Sequence, residues 1–220
     1  MSQMTRQRLQ LDERRAQLLD IGLELFTELA YEDVSIDDIA SAAGVSKGLL
    51  YHYFGSKKAF YVACVRVSAD RMVESVRPDP DLPLSLKALT GLISYLDFVE
   101  ARSTVFRQLL LGAGGSVDSE VAIIVSDTRR RLSEQILEGT GIDPARPIFR
   151  FAARTYVGAV EAASLAWLEN PESIDRRVVV RSMLGALHAL MSAAAELDPD
   201  AGVVVPDPAE ALTGLALLDS

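Results

Sequence analysis

Between Ser35 and Gly55 the chain is punctuated four times, by Ser35, Gly44, Ser46 and Gly55, and this spacing fits two short helices joined by a tight turn. Ser35-Ile36-Asp37-Asp38 has the form of a capping box, with aspartate where glutamate is more usual. Gly44 ends the first helix, because glycine takes up left-handed backbone without a steric penalty. Ser46 then caps a second helix from Lys47 to about Phe54, which stops at Gly55. Ala40 is small where the two helices must press together, and Ile39, Val45 and Leu50 supply an apolar wedge. What remains is an exposed face of Lys47, Gly48, Leu49, Tyr51, His52 and Tyr53, without an acidic residue.

The rest of the chain also reads at helical period. Leu18, Gly22, Leu25, Phe26 and Leu29 form one stripe on a helix beginning near Arg14. Ser56 caps a longer helix through Phe60, Val65 and Met72 to about residue 76. Pro78, Pro80 and Pro83 break it. Further helices are predicted at about 84–100, 102–112, 118–139, 145–169 and 172–197, the last opened by Pro171, with a weak helical pattern from Ala209 to Leu218. No stretch alternates as a strand, so the chain is read as all-α. The expected division is a domain of residues 1–60, a helix from 56 to about 76 as connector, and a helical domain of residues 61–220.

Composition narrows the chemistry. Hydrophobic residues make up 49% of the chain, enough for a core rather than disorder. The single cysteine, Cys64, excludes a disulfide framework and suits a reducing cytosol. The start, MSQMTRQRLQ, has no apolar run of the kind a signal peptide needs. Thr155 to Leu168 is the longest nearly uncharged stretch and is too short to cross a membrane, which takes about 20 residues. Two histidines, His52 and His188, leave few nucleophile–base pairings, and no metal-ligand spacing is present. Gly112-Ala113-Gly114-Gly115 follows no strand, so it is no dinucleotide loop. The expectation is a cytoplasmic protein that is not an enzyme and needs no cofactor or metal.

The formal net charge of −9 argues against a nucleic-acid partner until it is resolved along the chain. Residues 1–15 carry four arginines against two acids, residues 16–43 carry seven acids and no base, and residues 44–60 carry three lysines and no acid. The charge is segregated, and the basic part runs from the glycine turn through the second short helix to the start of the next.

Two helices meeting at a glycine turn form the helix-turn-helix arrangement. The runs Asp38-Ile39-Ala40, Ala43-Gly44-Val45-Ser46-Lys47-Gly48-Leu49-Leu50-Tyr51-His52-Tyr53-Phe54 and Ser56-Lys57 resemble the DNA-binding signature of the tetracycline-repressor (TetR) family. The Leu25-Phe26 pair and the loop at Tyr31 fit the same pattern, and the resemblance spans about residues 12–65. It implies a ligand-responsive transcriptional repressor that binds a palindromic operator as a homodimer. Lys47, Gly48 and Leu49 would then open the recognition helix and approach base edges. Tyr51, His52 and Tyr53 would meet phosphates and thymine methyls, and Lys57 a phosphate. Ser35, Ser46 and the arm residues Arg6, Arg8, Arg14 and Arg15 would be further DNA contacts. A helical ligand-binding or interaction module without operator binding is the alternative, and the intact Lys47, Tyr51 and Lys57 count against it.

The helices expected at 145–169 and 172–197 are apolar nearly all round, so each needs a partner on its second side. Two such helices from each of two chains would make a four-helix interface, the mode the resemblance also implies, and Leu184 is placed on it. The family's effector site is expected among Tyr95, Phe98, Phe106, Phe149, Tyr156 and Trp167, with Arg154, Glu161 and His188 as polar groups. A pocket of that kind suits a small hydrophobic or amphipathic effector. Arg129, Arg130 and Arg131 are read as a solvated helix face paired with Asp127 and Glu134.

Overall fold

The computed structural model describes residues 3–104, 106, 107, 118–209 and 213, with side chains from residue 11 onward apart from that of residue 118. Eight α-helices are described: α1 (Gln3–Glu28), α2 (Ile36–Ala42), α3 (Lys47–Phe54), α4 (Lys57–Ser75), α5 (Leu84–Ala101), α6 (Asp118–Thr140), α7 (Pro147–Glu169) and α8 (Arg176–Leu197). A 3-10 turn at Pro199–Ala201 follows, and no strand occurs among the described residues. The fold is all-α. Two boundaries differ from the sequence reading. Helix α1 starts at Gln3 rather than near Arg14. Helix α8 starts at Arg176, because the Asp175 carboxylate accepts the Arg177 amide at 2.7 Å and so supplies the cap, while Pro171 lies in the turn after α7. Residues 108–112 of the helix expected at 102–112, the glycine run 112–115, and the tail pattern beyond 209, residue 213 excepted, lie outside the described residues.

By proximity the chain divides into two units. The first comprises Met1–Arg71 and Arg102–Val125. Its core is built on Leu18, Phe26, Val34, Ile39, Leu50, Phe60, Cys64 and Val65, with Ile124 of α6 among them. Phe60 meets Phe54 edge-on at 4.7 Å between ring centres, and Phe26 meets Tyr61 likewise at 4.9 Å. Gly22 gives this cluster its closeness: a Cβ there would stand 2.4 Å from the Phe60 ring and 2.8 Å from the Cys64 sulfur. Burial pushes the Cys64 thiol up to about 12, so it stays protonated.

The second unit comprises Met72–Ala101 and Ser126–Ser220. Its centre is the pair α7 and α8, which bury Phe149, Ala152, Ala153, Met191 and Ala194 together with Leu137 and Ile142. Buried positions 149, 152, 153, 156, 157, 160, 164, 167 and 168 give α7 a single inward row at helical spacing. Arg129 of α6 donates to Glu161 of α7 at 2.9 Å, and Arg146 to Asp198 at 2.7 Å. Arg130 pairs with Asp127 and Glu134 as the sequence suggests, whereas Arg129 turns to Glu161. By length and composition α8 would also suffice to cross a membrane. Its row of Val179, Val180, Leu184, Met191 and Ala194 is buried, and most of its other residues are exposed or half-buried.

Candidate nucleic-acid interface and ligand cavity

The two-helix unit is built as its caps require. The Ser35 amide donates to the Asp38 carboxylate at 2.8 Å, and the Asp38 amide donates to the Ser35 hydroxyl oxygen at 3.1 Å, a complete capping box. The Ser35 hydroxyl also donates to Asp38, at 2.6 Å, and this bond with the Ser35 backbone bond holds the Asp38 carboxyl below the ordinary carboxylate range. Gly44 carries the turn at φ +61° and Gly55 ends α3 at φ +77°, both left-handed. Between them Ser46 caps α3, its hydroxyl oxygen accepting the Leu49 amide at 3.2 Å. Ile39 is fully buried, with Leu50 and Ala40 beside it and Val45 half-buried.

With that wedge inside, α3 turns the opposite residues outward. Lys47, Gly48 and His52 are exposed, Tyr51 is 49% exposed, and Leu49 and Tyr53 are half-buried. Tyr53 rests partly on the core. The Lys47 ammonium pairs with Asp37 at 2.5 Å, an acidic neighbour from α2. The Lys57 ammonium stands 4.2 Å from the centre of the Tyr31 ring, a cation–π contact that fixes the first turn of α4. Asp37 and Tyr31 reach these lysines from other elements, so spacing within one helix does not reveal either contact.

The second unit contains an apolar cavity of about 120 Å³. Ala88, Gly91, Leu92 and Tyr95 of α5 line it, with Leu132, Gln135 and Ile136 of α6, Tyr156, Val157 and Val160 of α7, and Leu187 of α8. Lys87 and Thr140 add polar groups to its wall. A smaller cavity of about 70 Å³ shares Leu84, Ala88, Thr140 and Leu187 with it and is covered by residues 203–208. There His188 Nδ1 lies 2.9 Å from the Pro206 carbonyl oxygen. A carbonyl only accepts, so Nδ1 carries the proton.

The family pattern described as bacterial regulatory proteins, tetR family, matches residues 18–64, and one described as tetracyclin repressor-like, C-terminal domain, matches residues 86–190. The HTH-type transcriptional activator FasR of Mycolicibacterium smegmatis is 30% identical over 176 residues, 77% of this chain and 78% of that protein. The chain belongs to the TetR family. It is therefore a DNA-binding transcriptional regulator. A crystal structure of a TetR-family regulator from Streptomyces coelicolor superposes with a TM-score of 0.76 at 29% identity, covering 87% of this chain and 86% of that one. FadR of Bacillus subtilis, solved in complex with stearoyl-CoA, shares the fold at a TM-score of 0.55 and 19% identity, covering 80% of this chain and 96% of that one.

Within this TetR-family chain the cavity draws on few of the residues expected from sequence. Tyr95 and Tyr156 line it, and His188 lines the smaller cavity. Phe149 fills the α7–α8 core instead, and Trp167 is buried on α7 away from the cavity wall. Phe106 is buried in the first unit and Phe98 is half-buried off the wall. Arg154 is exposed, and Glu161 is taken by Arg129. Leu184 is 4% exposed and faces its own core rather than outward. Gln135, Leu92 and Leu132 were missed. The signal for Leu132 and Gln135 is the row Leu132, Gln135, Ile136 and Gly139, an i, i+3, i+4, i+7 stripe with a polar residue inside it.

Proposed function

We propose that this regulator is a ligand-responsive repressor that binds a palindromic operator as a homodimer and is released by a small hydrophobic effector. The observation that carries the DNA reading is the outward face of α3, aromatic and basic, held between two left-handed glycines. Lys47 exchanges Asp37 for a base edge in the major groove, and Gly48 and Leu49 let the backbone approach closely. Tyr51, His52 and Tyr53 meet phosphates and thymine methyls. Lys57 and Ser46 meet phosphates, the latter through its hydroxyl proton. Ser35 is set aside, since its amide and hydroxyl proton are both spent on Asp38.

Dimerisation through α7 and α8 is supported by their outer faces. Exposed positions 151, 155, 158, 162 and 166 form a stripe of Phe, Thr, Gly, Ala and Ala, and α8 offers Val178, Ser182 and Ala189. Phe151 is 70% exposed and Val178 55%, an apolar surface that a second copy would cover. The apolar cavity supports a hydrophobic effector, as does the stearoyl-CoA bound by FadR. The work is binding in the cytoplasm, where the operator lies, rather than catalysis; the buried, protonated Cys64 is no nucleophile. FasR is an activator by name, which favours activation as a second reading.

Selection of bound fragments from sheared genomic DNA tests this. The expected result is enrichment of inverted repeats with half-site centres about 34 Å, or a multiple, apart. Unenriched fragments would overturn the operator reading. Transcription of the downstream gene with and without the protein then separates repression from activation.

A further inference from the structure

We propose that Gln135 is the polar anchor of the effector site, and that the effector presents to it a neutral hydrogen-bond donor, a hydroxyl or amide N–H, on an otherwise apolar body. This rests on the reading of the cavity as the effector site and adds the chemistry of what fills it. Gln135 is only 9% exposed and lies on the wall of the 120 Å³ cavity. Its amide nitrogen donates at 3.1 Å to the carbonyl oxygen of Val73, in the last turn of α4. That carbonyl belongs to a helix terminus, where intrahelical donors run out, so the amide satisfies a group that needs a partner. The bond also fixes which way the amide faces, because the reverse orientation would set two acceptor oxygens against each other.

The Gln135 side-chain oxygen is then left buried and without a hydrogen-bond partner. A buried unpaired acceptor costs free energy that a donor from a ligand restores. The surrounding wall of Ala88, Leu92, Leu132 and Val160 offers dispersion contacts to an apolar body. A carboxylate brings only acceptors and is repelled by the Gln135 oxygen, so it would have to reach Lys87 elsewhere on the wall, whereas an alcohol or amide fits the oxygen directly. In the proposed complex the Gln135 nitrogen keeps the end of α4 while its oxygen, closed off from water in this structure, meets the ligand donor once the neighbouring side chains give way.

The test is calorimetric binding of 1-hexanol, 1-chlorohexane and hexanoate to the full chain. The three probes share chain length and differ in donor and charge. The wild type is expected to bind 1-hexanol about tenfold more tightly than 1-chlorohexane, the size of one hydrogen bond to a buried acceptor, and hexanoate least. In Gln135→Met, which keeps the length of the side chain, the preference should vanish. Ala88→Leu, which narrows the cavity, should weaken both neutral probes alike. Equal binding of alcohol and chloride by the wild type would overturn the anchor while leaving the cavity reading intact. Binding that Ala88→Leu does not weaken would place the probes elsewhere and overturn both. Failure of all three probes to bind would overturn the cavity as an effector site.

Discussion

Lys57 holds its charge over the ring of Tyr31, and in the proposed complex it also holds a phosphate. Replacing it with alanine should weaken binding to every DNA sequence and reduce the slope of log K against log salt by about 0.9, one released counterion. An unchanged slope would remove Lys57 from the phosphate contacts. Gly22 is a second residue with a sharp expectation. Gly22→Ala drives a methyl against Phe60 and Cys64 and should cost about 1–3 kcal/mol in denaturant unfolding, as overpacking does. Residue identity showed the exposed face of α3 because Lys47, Tyr51 and His52 need only helical spacing to lie outward. It did not show Gln135, nor the pairing of Lys47 with Asp37 and of Lys57 with Tyr31, which depend on which element comes alongside.

At the scale of the element, the caps carry the argument. Ser46→Ala removes the acceptor of the Leu49 amide and should cost about 1 kcal/mol, the usual value of an N-cap. Asp38 adds a pH signature. Its folded-state value lies below the ordinary aspartate value of 3.8, chiefly through the Ser35 hydrogen bonds. Its contribution is therefore complete above that ordinary value and is lost as pH falls through the folded-state value. The difference in urea midpoint between the wild type and Asp38→Asn should shrink as the solution is acidified through this range. Helices α2 and α3 were legible to within a residue because their ends are set by local chemistry, Ser35, Gly44, Ser46 and Gly55. The start of α1 was not, since MSQMTRQRLQ has no apolar stripe to reveal it. Nor was that of α8, where the cap at Asp175 outweighs the proline that looked like an opening.

For the whole molecule, the apolar excess of α7 and α8 was legible as a call for a partner, but the side that seeks one was not. Periodicity alone left Leu184 outward; the structure turns it inward and leaves Gly158 and Ala189 on the surface. Ala189→Arg should therefore halve the mass seen by light scattering while leaving the helical content intact. Leu184→Glu should lower thermal stability instead, because it buries a charge among apolar side chains. A persistent dimer in Ala189→Arg would reject the interface. The net charge of −9 does not oppose DNA binding at this scale, because residues 44–60 carry three lysines and no acid, and of these Lys47 meets the preceding acidic segment, at Asp37. The most direct measurement is the affinity of Lys47→Ala/Tyr51→Ala for the selected operator beside that of the wild type. Two lost contacts should weaken binding roughly a hundredfold, with dimer mass and helicity unchanged; operator affinity equal to that of the wild type would contradict α3 as the reading helix.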